Sequence, residues 1–379
     1  SLGTLVNGKR ITRHELHPGD VLRVGNNQLR LEVAGPGADF PTPPTPRQKT
    51  EDEPAAVEEP ADSGDEAEPL PAGASEAVRL LHEWKEKLTH LSGQAPGQAF
   101  GHYQLGPVLG RGRSGVVFKA TDQKSGQTVA LKVFSPQFPH DNQELQRFTG
   151  VMKQLLPLRH PHLVGPYGAG KTGVCMWVAR EFVEGEGLAR VLRRLAQGAP
   201  PDSDLACRVG IHIGRALHFA RQHHLRHGAI SPANILIQRS DQAAKLADLM
   251  LVQALEHSQL AQAILEHRSP GEVAFLSPEQ ATAGDFVDEL SDLYGLGAVL
   301  YALLTGRPPF VGDSVEAILQ QIRGSGRVTR PTALNADIPA ALETVVLKML
   351  AKHQEDRYQT PAELLSDLEP IADEEGVAV

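Results

Sequence analysis

The sequence predicts an α+β fold, and three observations carry that reading. A glycine-rich run, Gly110-Arg111-Gly112-Arg113-Ser114-Gly115, has β-type residues on both sides, Tyr103-Gln104-Leu105 before it and Val116-Val117-Phe118-Lys119 after it. A glycine loop that returns into a strand is a β-hairpin lid, whereas a dinucleotide site opens a helix. Val129-Ala130-Leu131-Lys132 reads as a buried strand with a single lysine, fifteen residues past Val117. Residues 75–92 carry Val78, Leu81, Trp84, Leu88 and Leu91 at spacings of three and four, the period of a helix.

The 379 residues leave room for two or three domains of roughly 100–200 residues. Apolar residues make up 41%, enough to bury a core. Two cysteines, Cys175 and Cys207, argue against a disulfide framework and for a reducing, cytoplasmic setting. No apolar run approaches the roughly 20 residues of a spanning helix. Of the net charge of −9, the segment from Asp39 to Pro71 carries −8, with ten acidic residues against Arg47 and Lys49. The near-neutral remainder lacks the basic footprint of a nucleic-acid binder. The chain starts at Ser1 rather than Met, so residues upstream are expected.

From the N-terminus, residues 1–34 read as strands and tight turns. Asn7-Gly8, Pro18-Gly19-Asp20 and Gly25-Asn26-Asn27 are turn chemistry, and Gln28 to Val33 alternates with period two. The pattern Gly3-Thr4-Leu5-Val6-Asn7-Gly8-Lys9-Arg10-Ile11, followed by Leu16-His17-Pro18-Gly19-Asp20-Val21-Leu22, resembles the last strands of a forkhead-associated (FHA) domain. The resemblance implies a partial β-sandwich. It covers less than half of such a domain and omits the loops that hold phosphothreonine. Residues 35–73 hold eight prolines between Pro41 and Pro71 among acidic and small residues, the composition of a disordered, extended linker. Residues 75–92 read as an amphipathic helix capped by Ser75 and ended by Gly93 and Pro96.

Beyond residue 101 the motifs fall in an order that is similar to a bacterial Ser/Thr protein kinase. The glycine run and Lys132 lead. Arg159-His160-Pro161-His162-Leu163-Val164, Glu181-Phe182-Val183-Glu184-Gly185, Leu246-Ala247-Asp248-Leu249-Met250 and Ser277-Pro278-Glu279 follow. Ser291-Asp292-Leu293-Tyr294-Gly295 comes next, and Arg357 stands where the late arginine of the family pairs with the glutamate matched by Glu279. The resemblance implies a two-lobed fold over 101–373, a β-rich N-lobe (101–183) and a helical C-lobe (184–373). It implies an ATP site on Gly110, Gly112, Gly115, Val117, Ala130, Lys132, Glu181 and Val183. Asn234 and Asp248 match the family's Mg²⁺ ligands, and oxygen donors of that kind suit Mg²⁺ bridged by phosphates. Asp292 matches the residue that anchors the catalytic loop, and His227 a spine position.

The departures cluster at the chemistry. A kinase needs a carboxylate at the acceptor hydroxyl. The catalytic loop reads His227-Gly228-Ala229-Ile230-Ser231-Pro232-Ala233-Asn234. Ala229 therefore takes the place of the catalytic aspartate and Ser231 that of the phosphoryl-steadying lysine. Gly271-Glu272-Val273 replaces the turn that touches the acceptor, with Glu272 bringing a negative charge. The glutamate that pairs with Lys132 is expected nineteen residues on, where Val151 stands. Glu144 lies seven residues earlier, about 10 Å along a helix. Lys132 is thus expected to lack its partner, and Met250, in place of glycine, to restrict motion of the Asp248 segment. Arg180 occupies the gatekeeper position beside the adenine pocket. Of the three activation-segment hydroxyls, Ser258, Ser269 and Ser277, none is marked as a phosphorylation site, and His223 and His224 read as a solvated helix end rather than metal ligands.

The expected function is a pseudokinase: a nucleotide-binding kinase fold acting as scaffold or allosteric partner for proteins in phospho-signalling. The rivals are a slow or atypical Ser/Thr kinase and a phosphothreonine-binding adaptor driven by the FHA half.

Overall fold

The computed structural model describes residues 99–379, except 136, 137, 267 and 284–287, and the backbone of four strands within residues 4–30. The expected linker (35–73) and helix (75–92) lie outside the described residues. The chain divides into two units, 1–68 and 69–379.

In the first unit, β1 (Thr4–Val6), β2 (Lys9–Arg10), β3 (Val21–Val24) and β4 (Asn27–Arg30) form an antiparallel sheet in the order β2-β1-β3-β4. These are the strands that the turn chemistry of residues 1–34 calls for.

The second unit opens with a six-stranded antiparallel sheet, ordered β5-β6-β7-β8-β10-β9. Its strands are β5 (Ala99–Phe100), β6 (Tyr103–Gly112), β7 (Gly115–Asp122), β8 (Thr128–Phe134), β9 (Pro166–Thr172) and β10 (Cys175–Glu181). The β6–β7 hairpin turns at Arg113-Ser114, with Gly112 opposite Gly115. Gly115 is required there, because a Cβ would lie 2.1 Å from the Val133 carbonyl oxygen. One face of the sheet buries Tyr103, Val116, Phe118, Leu131, Val133 and Trp177.

Helix α1 (Asn142–Leu155) crosses the other face. Asp141 caps it, accepting from the Glu144 amide at 2.8 Å, and Phe148, Val151, Met152 and Leu155 recur on its buried side. The rest is mainly helical, as the two-lobed reading requires. A small sheet, β11 (Gly185–Gly187), β12 (Ile235–Gln238) and β13 (Ala244–Leu246), lies under the interlobe cleft, with α2 (Leu188–Ala196) and α3 (Ser203–Gln222) between β11 and β12. The activation segment carries α4 (Leu251–Leu255), α5 (Gln259–Glu266) and α6 (Pro270–Val273). Then come α7 (Pro278–Ala283), α8 (Glu289–Thr305), α9 (Val315–Arg323), α10 (Ala340–Met349) and α11 (Pro361–Glu375). Helix α8 is buried on every side from Ser291 to Leu304, which explains its nearly unbroken apolar sequence. It centres a core with Ile211, Leu342, Val346, Leu364 and Leu368.

A second core joins the two lobes. Phe134, Phe148, Val151, Met152 and Leu155 pack with Met250, Ala254, Leu255 and Leu260. Each large apolar side chain so buried contributes about 1.5–3 kcal/mol. Helix α1 is therefore held by the start of the activation segment, and Val151 lies within that contact.

Candidate functional site

The cleft is framed by the β6–β7 lid, β8, the β10–β11 connection and the catalytic loop. At Gly110 an added Cβ would meet nothing within 4 Å, and at Gly112 only the Gly115 carbonyl at 3.9 Å. The fold's own packing does not demand glycine at either position, so both leave backbone open to a phosphate. Val117 and Ala130 lie on paired strands beneath the lid, where Val117 faces Lys132 in register. Glu181 ends β10 with its amide on the Gly165 carbonyl at 3.0 Å and its carboxylate on Lys245 at 2.7 Å. Val183 follows in the connection to β11.

Lys132 has no glutamate partner on α1; it pairs instead with Asp248. Its Nζ is 2.7 Å from Asp248 Oδ2, and the Arg180 guanidinium pairs with Asp248 Oδ1. Burial alone would raise the Asp248 carboxyl. Arg180 and Lys132 outweigh it and hold the group well below the usual carboxylate range. The glutamate strut from α1 is thus replaced by an ion triad within the cleft. Val151 instead meets the apolar residues of α4 and α5, and Glu144 is spent at the helix start, accepting from the amides of His140 (2.7 Å) and Gln259 (3.3 Å).

Asp248 has φ +62° and Met250 φ +58°, so the methionine adopts the left-handed torsion that glycine takes without cost. Its buried side chain offsets that cost in the interlobe core, and α4 begins at once after it.

The catalytic loop keeps its frame. Asp292 accepts from the amides of His227 (2.8 Å) and Gly228 (2.7 Å), and His227 Nε2 lies 2.8 Å from the Ala247 carbonyl. Asn234 donates its side-chain amide to the Ala229 carbonyl at 2.8 Å. Ser231 precedes the single turn that holds Asn234. In this frame position 229 presents a methyl group. Arg357, fully buried, makes the expected pair with Glu279, at 2.7 and 2.9 Å.

Glu272 has a role that its sequence position did not reveal. It completes a capping box with Ser269, accepting from the Ser269 amide and hydroxyl, both at 2.7 Å. It also pairs with Arg113 at the lid tip, whose other guanidinium nitrogen donates to the Ile264 carbonyl at 3.0 Å. Burial, with Arg268 nearby, lowers the Arg113 guanidinium to about 10. The lid is clasped to the activation segment. Two opposite charges at positions 113 and 272 were the only trace of this in the sequence, and nothing local links them. Ser258 and Ser277 are buried and cap α5 and the start of α7.

The profile of the protein kinase domain matches residues 103–367. The chain belongs to the protein kinase family. It is 36% identical over 279 residues to serine/threonine-protein kinase PknB of Mycolicibacterium smegmatis, covering 70% of this chain and 42% of that protein. To PknB of Mycobacterium tuberculosis it is 36% identical over 283 residues, covering 72% and 43%. A probable serine/threonine-protein kinase of Streptomyces coelicolor is 33% identical over 289 residues, covering 74% and 41%. The chain thus spans about two fifths of the length of these curated relatives. Among solved structures, the Mycobacterium tuberculosis PknI kinase domain aligns with a TM-score of 0.56 at 24% identity, over 73% of this chain and 98% of that one. That likeness speaks to the fold.

Protein kinase domains in general act on ATP with Mg²⁺. The lid and Lys132 fit a nucleotide. The fit to Mg²⁺ is poor as arranged: both Asp248 oxygens carry a cation, and Asn234 brings a single amide oxygen. Among the described residues no three His, Cys, Asp or Glu side chains converge on a metal position, which includes His223 and His224. No described helix is long and apolar enough to cross a membrane.

Proposed function

We propose that the chain is a pseudokinase that binds a nucleotide and acts as a scaffold or allosteric partner for proteins in phospho-signalling. One observation carries the reading: the catalytic-loop frame is intact around Ala229, so the position that must accept the hydroxyl proton offers only a methyl group. Two neighbouring arrangements support it. The acceptor turn is spent on the lid through Glu272, and α1 is packed against the activation segment through Val151. The FHA-like strands at 4–30 are taken as a separate, structural element.

Losing a general base costs typically 10²–10⁴ in rate, so positioning alone leaves little turnover. The test is transfer of the ATP γ-phosphate to a Ser/Thr substrate protein, wild type against Lys132→Ala. Equal background in both supports the proposal. Transfer at ordinary kinase rates, lost in Lys132→Ala, refutes it. That second outcome is the reading favoured by the relatives named as kinases and by the retained Lys132, Asn234 and Asp248.

A further inference from the structure

We infer that the cleft binds its nucleotide as the metal-free anion, with Arg180 standing in for the divalent cation at Asp248. This rests on the nucleotide-binding part of the proposal above and adds how the charge is balanced. Among the described residues Asp248 is the carboxylate paired with both Lys132 and Arg180, and its two oxygens are divided between them. The three side chains are only 8%, 13% and 16% exposed, so water does not screen the arrangement.

Two fixed cations and one anion leave the triad with a surplus positive charge. The Arg180 guanidinium stays charged and balances Asp248, so the surplus is carried by the Lys132 ammonium, whose pKa burial and Arg180 push down and Asp248 holds up. Such a site attracts phosphate oxygens and repels a second cation. Mg²⁺ demands near-ideal octahedral oxygen ligation, commonly from one or two carboxylates with phosphates and water. Here neither position 229 nor position 151 supplies a carboxylate. Asn234 is oriented by its own bond to Ala229. To reach Asp248, Mg²⁺ would have to expel a largely buried guanidinium and leave it without a partner, which is costly. Strand register explains why Arg180 holds its place. It lies near the end of β10, between β8 and the edge strand β9, opposite Ala130 and two positions from the Val178–Lys132 pair. Meanwhile the open backbone at Gly110 and Gly112 leaves the lid side free for phosphate oxygens.

The experiment is calorimetric titration of the full chain with ATP, in EDTA and in excess Mg²⁺, alongside thermal melting. The expected Kd in EDTA equals or is tighter than that in Mg²⁺. ATP at about a hundred times Kd should raise Tm by roughly 5 °C in EDTA, and Mg²⁺ alone should not change it. Tightening by Mg²⁺ of about tenfold or more overturns the inference while leaving nucleotide binding standing. Absence of binding in both conditions overturns the nucleotide-binding reading and the inference with it. In R180M the freed Asp248 oxygen should make Mg²⁺ tighten binding about tenfold. Continued indifference to Mg²⁺ in that variant removes Arg180 from the account. Arg180→Gln repeats this arm if the Met variant melts before titration.

Discussion

Replacing Arg113 with alanine releases the lid tip, and the geometry sets the size of the effect. Glu272 is half exposed, so its ion pair with Arg113 is worth only about 0.5 kcal/mol. The bond from Arg113 to the Ile264 carbonyl has a charged donor at 3.0 Å on a side chain 18% exposed, worth about 1.5 kcal/mol. Together they bias the clasped lid by about 2 kcal/mol, or about thirtyfold in population. Hydrogen exchange at the lid amides, Gly112 to Gly115, reads that ratio directly. Protection should fall about thirtyfold in Arg113→Ala. In Glu272→Gln, where the Ile264 bond remains, it should fall about twofold. Unchanged protection in Arg113→Ala would refute the clasp as an energetic feature. Equal losses in the two variants would refute the division between the two contacts.

Arg357→Ala leaves Glu279 buried without its partner and should cost about 3–5 kcal/mol in denaturant unfolding. Val151→Glu places a carboxylate between α1 and α4 while Lys132 is already held by Asp248. It should lower stability by about 3 kcal/mol, read as a fall in the urea midpoint. Acid should weaken the fold in two stages. Burial lowers His160 to about 4 and His212 to about 3, so the unfolded chain takes up protons that the folded one refuses. Stability is then lost as pH falls from about 6.5 towards those values, by at most about 1.4 kcal/mol per pH unit for each histidine. For Glu279, burial raises the carboxyl, but Arg357 and Ser291 hold it at about 2. Its contribution is present above about 4.5 and fades as pH falls towards 2. Melting curves across pH 7 to 2 check both stages, and His212→Phe should flatten the first.

Much of this architecture was legible because its signals are local. The lid required only glycines between β-type residues, and Lys132 announced itself by its strand and distance. Asp292 with the catalytic-loop amides, and Arg357 with Glu279, followed from the family resemblance and are found at hydrogen-bonding distance. What the sequence hid depends on contacts between distant segments. Arg180 was recognisable by position, but its partner was not, because a register on β10 decides which way the guanidinium reaches. Val151 announced the loss of the usual glutamate partner, but not what replaces it: an unpaired buried charge is costly, and Asp248 takes the place. Met250 takes a left-handed torsion, and only the burial of its side chain in the interlobe core, invisible in the sequence, offsets that cost. Helix α4 begins right after Met250, and its apolar residues read equally well as a strand or a loop.

The central claim is that position 229 leaves the cleft able to hold a triphosphate and unable to hand its terminal group to a hydroxyl. Intact-mass spectrometry of the purified chain after prolonged incubation with ATP and Mg²⁺ tests this most directly, with Asp248→Asn as control. The account predicts an unchanged mass in both. A phosphorylated wild type beside an unmodified Asp248→Asn variant would contradict it.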